Sequence, residues 1–280
     1  MVVASITTAY YLVTMRLRPG APAVTGPADI HEGRVITISS VSNCVITVIV
    51  DNNPDSGLEI TWGLSILVMA PNSTILFDTG PDPRVLKDNM AELGIDPKSI
   101  DIVVLSHEHG DHVRGLSYLA GANPNVTVYI PEGMSTNVKK WIKGLGLRIV
   151  EVNNTTVIAN GIAVIGELYG PPYEEALAIN VKDKGLVMVV GCSHPGVVEI
   201  VKKAIADLGV KPYLVIGGFH MAGASSSECH KVIKGLIALG VKRIVPIHCS
   251  GDGIRHILKE EYSDYYVEAH IGTQIALSGD

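Results

Sequence analysis

Three histidines and an aspartate lie within six positions of one short segment, Ser106-His107-Glu108-His109-Gly110-Asp111-His112. The segment follows the apolar run 101–105, which predicts a buried β-strand, and it precedes an amphipathic, helix-like stretch. Residues two apart on extended backbone point to the same side, so His107 and His109 can meet while Asp111 and His112 turn towards a neighbouring position. Imidazole nitrogen, alone or with carboxylate oxygen, suits divalent cations. The segment predicts one or two metal ions, with zinc favoured and manganese, iron or cobalt as alternatives.

Four further motifs each place a polar residue at the end of an apolar run: Thr74-Ile-Leu-Phe-Asp78-Thr-Gly80, Val190-Gly-Cys-Ser-His194, Ile216-Gly-Gly-Phe-His220 and Val245-Pro-Ile-His-Cys249. The spacing His-x-His-x-Asp-His after a strand resembles the signature of the metallo-β-lactamase superfamily. Over residues 45–277, the whole set is similar to the metal-dependent hydrolases of that superfamily, the group that includes the archaeal dihydropterin–ribofuranosylaminobenzene-phosphate synthases of methanopterin biosynthesis. The resemblance implies a metalloenzyme with two adjacent cation positions.

The resemblance and the strand-end positions together give a predicted ligand set. Sites on open α/β sheets gather where strands end and loops converge. His194 and His248 each follow an apolar run, so we expect both to reach the cations. The predicted ligands form two triads: His107, His109 and His194 around one cation, and Asp111, His112 and His248 around the other. Asp78 is expected to orient a ligand imidazole through a hydrogen bond.

The chain departs from the superfamily pattern at the residue that usually bridges the two cations. Most members have an aspartate there, after a strand ending in Gly-Asp, whereas this chain reads Gly191-Cys192. Most members also have a histidine in the preceding region, and residues 166–175 contain none. His194 is the preferred replacement, because neutral imidazole adds no buried negative charge. Cys192, as thiolate, or Glu175 is the alternative, and occupancy of the second cation position stays open.

His220 is the predicted acid–base residue, because six other groups already serve the cations and imidazole titrates near neutral pH. Asp111 is counted as catalytic as well as metal-binding. The expected reaction is hydrolysis of phosphoester-type substrates by a metal-bound hydroxide, with His220 protonating the leaving group. The resemblance implies an alternative, a transferase that condenses a pterin-methyl diphosphate with an aryl ribofuranosyl phosphate. A non-catalytic metal-binding module is the third hypothesis.

The expected partner is an anionic or phosphorylated small molecule. Ser193 leads into a predicted helix at 196–208, whose first backbone amides favour anions. Arg114 supplies a positive charge near the metal motif. The aromatic residues that could line a slot for a flat substrate are Trp62, Phe219, Tyr169 and Tyr173.

Composition argues against several other classes of protein. The net charge is −6, without a long basic run, which argues against nucleic acid as a partner. Uninterrupted apolar runs have strand length, and threonines interrupt residues 1–15, so no membrane partner is expected. No signal peptide is evident, and a cytoplasmic protein is expected; a homo-oligomer stays open. Gln274 is the only glutamine, which is typical of a thermophilic source, and the resemblance implies an archaeal one.

Strands and helices alternate after residue 34. The pattern predicts two mixed β-sheets packed face to face with helices outside, a four-layer αββα sandwich of the α/β (α+β) class, as the resemblance also implies. We expect a single metallo-β-lactamase-like domain at 35–280. Residues 1–34 are expected to form an extension, an edge strand followed by a Gly/Pro loop. Among the elements, the pattern predicts one or two strands within 34–49, a helix reaching residue 120 and a final strand at 265–277.

Overall fold

Two β-sheets lie at the centre of the computed structural model, which describes residues 35–54 and 57–279. The strands of the described residues are β1 (Asn43–Val50), β2 (Ser65–Ala70), β3 (Ser73–Phe77), β4 (Ile102–Val104), β5 (Thr127–Pro131), β6 (Arg148–Val152), β7 (Thr156–Ala159), β8 (Ile162–Tyr169), β9 (Tyr173–Val181), β10 (Gly185–Val190), β11 (Pro212–Gly217), β12 (Arg243–Pro246) and β13 (Gln274–Ser278). The predicted extension at 1–34, with its edge strand, lies outside the described residues, so the domain boundary stays a prediction.

The strands divide into two mixed sheets. The first has the order β13-β1-β2-β3-β4-β5-β6, and the second has the order β12-β11-β10-β9-β8-β7. Strands β3 to β6 run parallel to one another, as do β10 to β12, while the remaining pairs are antiparallel. The carboxyl ends of the parallel strands are therefore the natural place for a site.

Seven α-helices flank the sheets in the described part of the chain: α1 (Pro83–Glu92), α2 (Gly110–Val113), α3 (Leu116–Ala122), α4 (Thr136–Gly144), α5 (Val197–Leu208), α6 (Ser226–Ala238) and α7 (Gly251–Glu261). Short 3₁₀ turns occupy Pro97–Ser99 and His248–Ser250. Helix α6 begins with a capping box in which the Ser225 side chain accepts from the Glu228 amide and the Glu228 carboxylate accepts from the Ser225 amide. No helix of the described residues is long and apolar enough to cross a membrane.

Three apolar clusters account for the layering. One lies between the sheets and contains residues from both, such as Phe77 and Val189. A second joins α5, α6 and α7 to the outer face of the second sheet, and a third joins α1, α3 and α4 to the outer face of the first sheet. Because the central strands are buried on both faces, they read as continuous Val- and Ile-rich runs. The predicted αββα fold is confirmed.

Three elements have other bounds in the structure than the sequence predicts. The region 34–49 forms a strand only from Asn43 onwards, although Val41 makes an isolated bridge to Val181. The final strand is limited to Gln274–Ser278, since a turn at 270–273 precedes it. The continuous helix predicted after the metal motif is two short helices, α2 and α3, that meet at Gly115.

Gly115 lets the metal-motif loop touch the end of β3. Its amide donates to the Gly80 carbonyl at 3.0 Å, and the Thr79 amide donates to the His112 carbonyl at 2.7 Å. A Cβ added at position 115 would lie 1.9 Å from the Thr79 carbonyl oxygen. Only glycine therefore allows this approach without a shift of backbone.

We expect Gly115→Ala to destabilise the metal-free protein by about 1–3 kcal/mol, the usual cost of overpacking. Urea unfolding followed by circular dichroism measures the effect. Gly121→Ala is the matched control, because Gly121 lies in α3 and nothing is within 4 Å of an added Cβ. Alanine there should stabilise by roughly 0.5–1 kcal/mol. A loss of stability of similar size in both variants would contradict the close-contact explanation.

Candidate metal centre

The loops that follow five strands converge on one region. Asp78 follows β3, the segment 106–112 follows β4, and Cys192 and His194 follow β10. His220 follows β11, and His248 follows β12. These loops come from both sheets, so the site lies where the two sheets meet.

The structure brings His107, His109 and His194 together, as the sequence predicts. Each offers one ring nitrogen, and the three atoms lie within 4.8 Å of one another. His107 Nε2 is 3.1 Å from His109 Nδ1. Burial lowers the pKa of His107 well below its ordinary value, and burial also lowers the pKa of His194 to about 4. Neutral rings with facing lone pairs are what a cation requires.

The second predicted triad, Asp111, His112 and His248, is also assembled, with one ligand atom from each within 4.8 Å of the others. Asp111 Oδ2 lies 3.7 Å from His112 Nε2 and 3.5 Å from His248 Nε2. Burial alone would raise the pKa of Asp111, but the neighbouring side chains of His248 and His112 hold that pKa well below its ordinary value. Mixed nitrogen and oxygen ligands suit a borderline divalent cation.

Two buried nitrogens test whether the site fits a metal. His194 Nε2 belongs to the first triad and His248 Nε2 to the second, and neither has a hydrogen-bond partner among the described residues. A buried polar atom without a partner is costly, and each such case calls for an explanation. A cation in each triad would satisfy both atoms, so the residues present fit metal ions.

Asp78 fixes the orientation of the ligand rings. Its Oδ2 lies 2.6 Å from His112 Nδ1 and accepts from Ser106 Oγ at 2.7 Å, while its Oδ1 accepts from the Ser106 amide at 2.7 Å. Ser106 Oγ is in turn 2.9 Å from His107 Nδ1. These bonds assign the protons to Nδ1 of both rings and leave Nε2 free. The role of Asp78 was expected from the sequence, whereas that of Ser106 was not.

Asp51 and Asn52, which the sequence did not identify, hold His248. Asp51 Oδ1 accepts from the His248 amide at 2.8 Å, and Asn52 Oδ1 lies 3.2 Å from His248 Nδ1. Both residues follow β1, nearly 200 positions before His248 in the chain. No local pattern could have joined them, because their relation depends on the packing of the two sheets.

Glu174, also missed, holds the loop that carries His194. Its two carboxylate oxygens accept from the amides of Ser193 and His194, each at 2.7 Å. Burial raises the pKa of Glu174 to about 7, although these backbone hydrogen bonds act in the opposite direction. The neighbouring Glu175, considered from sequence as a ligand, belongs to none of the metal-compatible groups of the described residues. Its two carboxylate oxygens are buried and lack hydrogen-bond partners in the described part of the chain.

Cys192 and His194 both lie at the centre, so Cys192 does not take the place of His194. Its Sγ is 3.2 Å from His112 Nε2, and it forms a compact group with His107 and His112. His194 meanwhile stays with the first triad. Of the residues considered for the missing ligand, His194 and Cys192 each belong to a metal-compatible group, whereas Glu175 does not.

The remaining candidates are spread around the centre. The Trp62 ring lies 5.0 Å from the His248 ring. The rings of Tyr169 and Tyr173 lie 4.8 Å apart and tilted to each other, beside a cavity of about 410 Å³ that His109 also lines. His220 is exposed, lies 4.5 Å from the His194 ring, and borders a cavity of about 860 Å³ between α5 and α6. Arg114 lines a separate cavity with Trp141.

Two predicted substrate contacts need correction. Phe219 is 2% exposed and packs in the cluster beneath α5, α6 and α7, so it does not line a slot. Ser193 is buried, its hydroxyl donates to the Gly218 carbonyl at 2.7 Å and its amide donates to Glu174. The amides of Ser193 and His194 are therefore engaged within the protein and are not available to an anion.

Backbone strain is concentrated at the same place. Asp78, Ser193, His220 and His248 have φ between +50° and +60°, in the left-handed region that non-glycine residues rarely adopt. Among the described residues only one other non-glycine residue, Asp183, shares this conformation. Such strain persists where the surrounding structure enforces it, and it clusters at functional sites.

Comparison with known proteins relates this chain to one superfamily. The family model of the metallo-β-lactamase superfamily matches residues 63–200. The 7,8-dihydropterin-6-methyl-4-(β-D-ribofuranosyl)-aminobenzene-5'-phosphate synthase of Methanocaldococcus jannaschii is 33% identical over 258 residues, which cover 75% of this chain and 88% of that protein. A ribonuclease Z of Nanoarchaeum equitans is 30% identical over 138 residues, 45% of this chain and 42% of that protein.

A crystal structure described as a metal-dependent hydrolase of the β-lactamase superfamily superposes with a TM-score of 0.72 and 26% identity, over 84% of this chain and 99% of that one. The chain belongs to the metallo-β-lactamase superfamily. The predicted relationship to the group that includes the archaeal synthase is confirmed. Members of the superfamily typically bind divalent metal ions, and the two triads are candidate positions for them.

We expect Asp78→Asn to weaken divalent cation binding by about 10- to 100-fold, as loss of a partner that orients a metal ligand usually does. The substitution keeps the shape of the side chain but removes the charge that holds His112. Competition with a chromogenic chelator measures the affinity. Asp88→Asn, on the exposed face of α1, is the control and should bind as the wild type does. Equal affinities in the two variants would rule out the orienting role.

The raised pKa of Glu175 can be tested through the dependence of stability on pH. Burial raises its pKa well above the ordinary value, so the folded protein holds this proton when the unfolded chain has lost it. Stability should fall as the pH rises from the unfolded pKa towards the folded one, by at most about 1.4 kcal/mol per pH unit. Urea unfolding of the metal-free protein from pH 4.5 to 8 should show that Glu175→Gln has lost part of this slope. Glu132→Gln, at an exposed position, should keep it; identical slopes in all three proteins would refute the assignment.

Proposed function

We propose that this protein is a metal-dependent hydrolase acting on phosphoester-type small molecules. The observation that carries the proposal is the pair of adjacent triads, each with a buried ring nitrogen that lacks a partner among the described residues. His107, His109 and His194 would hold one divalent cation, and Asp111, His112 and His248 would hold the other. Zinc is the favoured metal, because imidazole and carboxylate are its usual ligands; manganese, iron and cobalt stay as alternatives.

Cations bound in these triads supply Lewis-acid activation of water and neutralise charge on substrate oxygens. The protein's own contribution is to hold the ligand side chains in place and to keep the rings of His107 and His194 unprotonated. Asp78 and Ser106 hold the protons of His112 and His107 on Nδ1, away from the centre. Burial lowers the pKa of His107 and of His194, so both rings are neutral when the pH is neutral.

Two cavities beside the triads have room for an organic substrate. The cavity of about 860 Å³ reaches His220 and is lined mainly by apolar residues of α5, α6 and the loop before α6, together with two lysines and two glutamates: Lys202, Lys231, Glu199 and Glu228. The cavity of about 410 Å³ reaches His109 and contains the Tyr169–Tyr173 pair. His194 lies between them, with its ring 4.8 Å from that of His109 and 4.5 Å from that of His220. An anionic group at the centre can thus carry an organic group on either side.

The second candidate function is the transferase that condenses a pterin-methyl diphosphate with an aryl ribofuranosyl phosphate. The 33% identical relative is named as the synthase of that product. Two separate cavities at one centre also favour a reaction of two organic partners. A cytoplasmic location, a thermophilic source and the absence of nucleic-acid or membrane partners remain predictions from the sequence.

The activity of the zinc-loaded protein tests the choice between hydrolase and transferase. We expect hydrolysis of phosphodiester and phosphomonoester nitrophenyl substrates, measured by release of nitrophenol. Asp111→Ala should lower turnover by more than about 100-fold, because loss of a ligand should exceed the loss of an orienting partner. Asp252→Ala, at a fully exposed position, is the control. If esters are inert but the pterin diphosphate and the aryl phosphate release pyrophosphate together, the transferase replaces the hydrolase.

A further inference from the structure

Cys192, His220 and Cys249 form a further compact group beside the two triads. Each offers one ligand atom, and these three atoms lie within 4.8 Å of one another. Both cysteines are 4% exposed, whereas His220 is exposed. Neither predicted triad uses Cys249 or His220, so these two residues have no role in the pair of triads described above.

The backbone around the group brings three loops close together. The end of β11 passes between the loops that carry the two cysteines, and a Cβ added at Gly218 would lie 2.6 Å from Cys249 Sγ and 2.6 Å from the Gly191 carbonyl oxygen. Cys249 Sγ lies 3.7 Å from the Cys192 carbonyl oxygen. His220 follows directly after Gly218 and Phe219, with φ of +52°. Glycine at 218 and strained backbone at 220 thus bring two thiols and an imidazole together.

The donor set has a definite chemical preference. Two cysteine sulfurs with one histidine nitrogen form a known zinc ligand set, with the fourth position left for water or substrate. Soft sulfur ligands select thiophilic cations over magnesium and calcium. The exposed face of His220 borders the cavity of about 860 Å³, which gives a cation a route from solvent.

We propose that Cys192, His220 and Cys249 bind a third, thiophilic divalent cation, of the class of Zn²⁺ or Cd²⁺. Cys192 Sγ also lies 3.2 Å from His112 Nε2, so its sulfur can be shared with the second triad. This role replaces the acid–base role that the sequence predicts for His220. It places a further Lewis-acidic position at the mouth of the cavity, and it does not depend on which reaction the two triads serve.

Metal counting separates this proposal from any question of activity. Chelator-treated, reduced protein is saturated with Zn²⁺ or Cd²⁺, freed of excess metal, and analysed for ions per chain. Cys249→Ala and His220→Asn should each lose one ion relative to the wild type. Asparagine tolerates the left-handed backbone at position 220, so the second variant should keep the local fold. Cys229→Ala is the matched control, because Cys229 is equally buried but lies in α6, outside every metal-compatible group of the described residues.

Cobalt provides a spectroscopic check on the sulfur ligands. Co²⁺ added to the metal-free wild type should give thiolate-to-cobalt absorption in the near ultraviolet, and Cys249→Ala should lower its intensity while Cys229→Ala does not. If Cys249→Ala and His220→Asn both keep the ion count and the cobalt spectrum of Cys229→Ala, the third position does not exist. A His220→Asn protein that keeps every ion but hydrolyses poor leaving groups more slowly would return His220 to the acid–base role.

Discussion

The carboxylate of Asp78 is the interaction on which the site depends most. It joins the end of β3 to the loop after β4 through the Ser106 amide and hydroxyl, and it holds the proton of His112 on Nδ1. Because β3 and β4 are adjacent parallel strands, the two loops leave the sheet side by side. One buried charge therefore sets the path of the metal-motif loop and the tautomer of its ligands. The Thr79 and Gly115 contacts complete the same junction.

Acids around the centre have three different roles. Asp111 faces His248 and His112, whose proximity lowers its pKa, whereas Glu174 accepts from two backbone amides and shapes the His194 loop. Glu175 has neither kind of partner, and burial raises its pKa. Similar residue types thus serve as candidate ligand, as loop holder and as a core acid whose pKa is raised. Their surroundings decide the role, as expected when desolvation competes with nearby charges.

The sequence predicted most of the fold and the two triads because their signals are local. Continuous Val and Ile runs indicate strands buried on both faces, and the segment 106–112 carries four of the six predicted ligands within six positions. Asp51 and Glu174 were missed because they meet their partners only after the sheets pack. Phe219 and Ser193 were misplaced for the same reason, since burial and internal hydrogen bonds cannot be read from a motif. Adjacent acids such as Glu174 and Glu175 within an apolar strand are a weak signal of buried function.

Each triad draws its ligands from both sheets: the loop after β4 belongs to the first, and the loops after β10 and β12 belong to the second. A bound ion is therefore a cross-link across the interface between the two sheets. Anything that binds only the native state stabilises it by mass action, by about 2.7 kcal/mol at a hundred times the dissociation constant. The free energy of unfolding of the sandwich would therefore depend on the concentration of free metal ion. Removal of metal ions would destabilise the fold at the interface between the sheets, where it would also empty the candidate site.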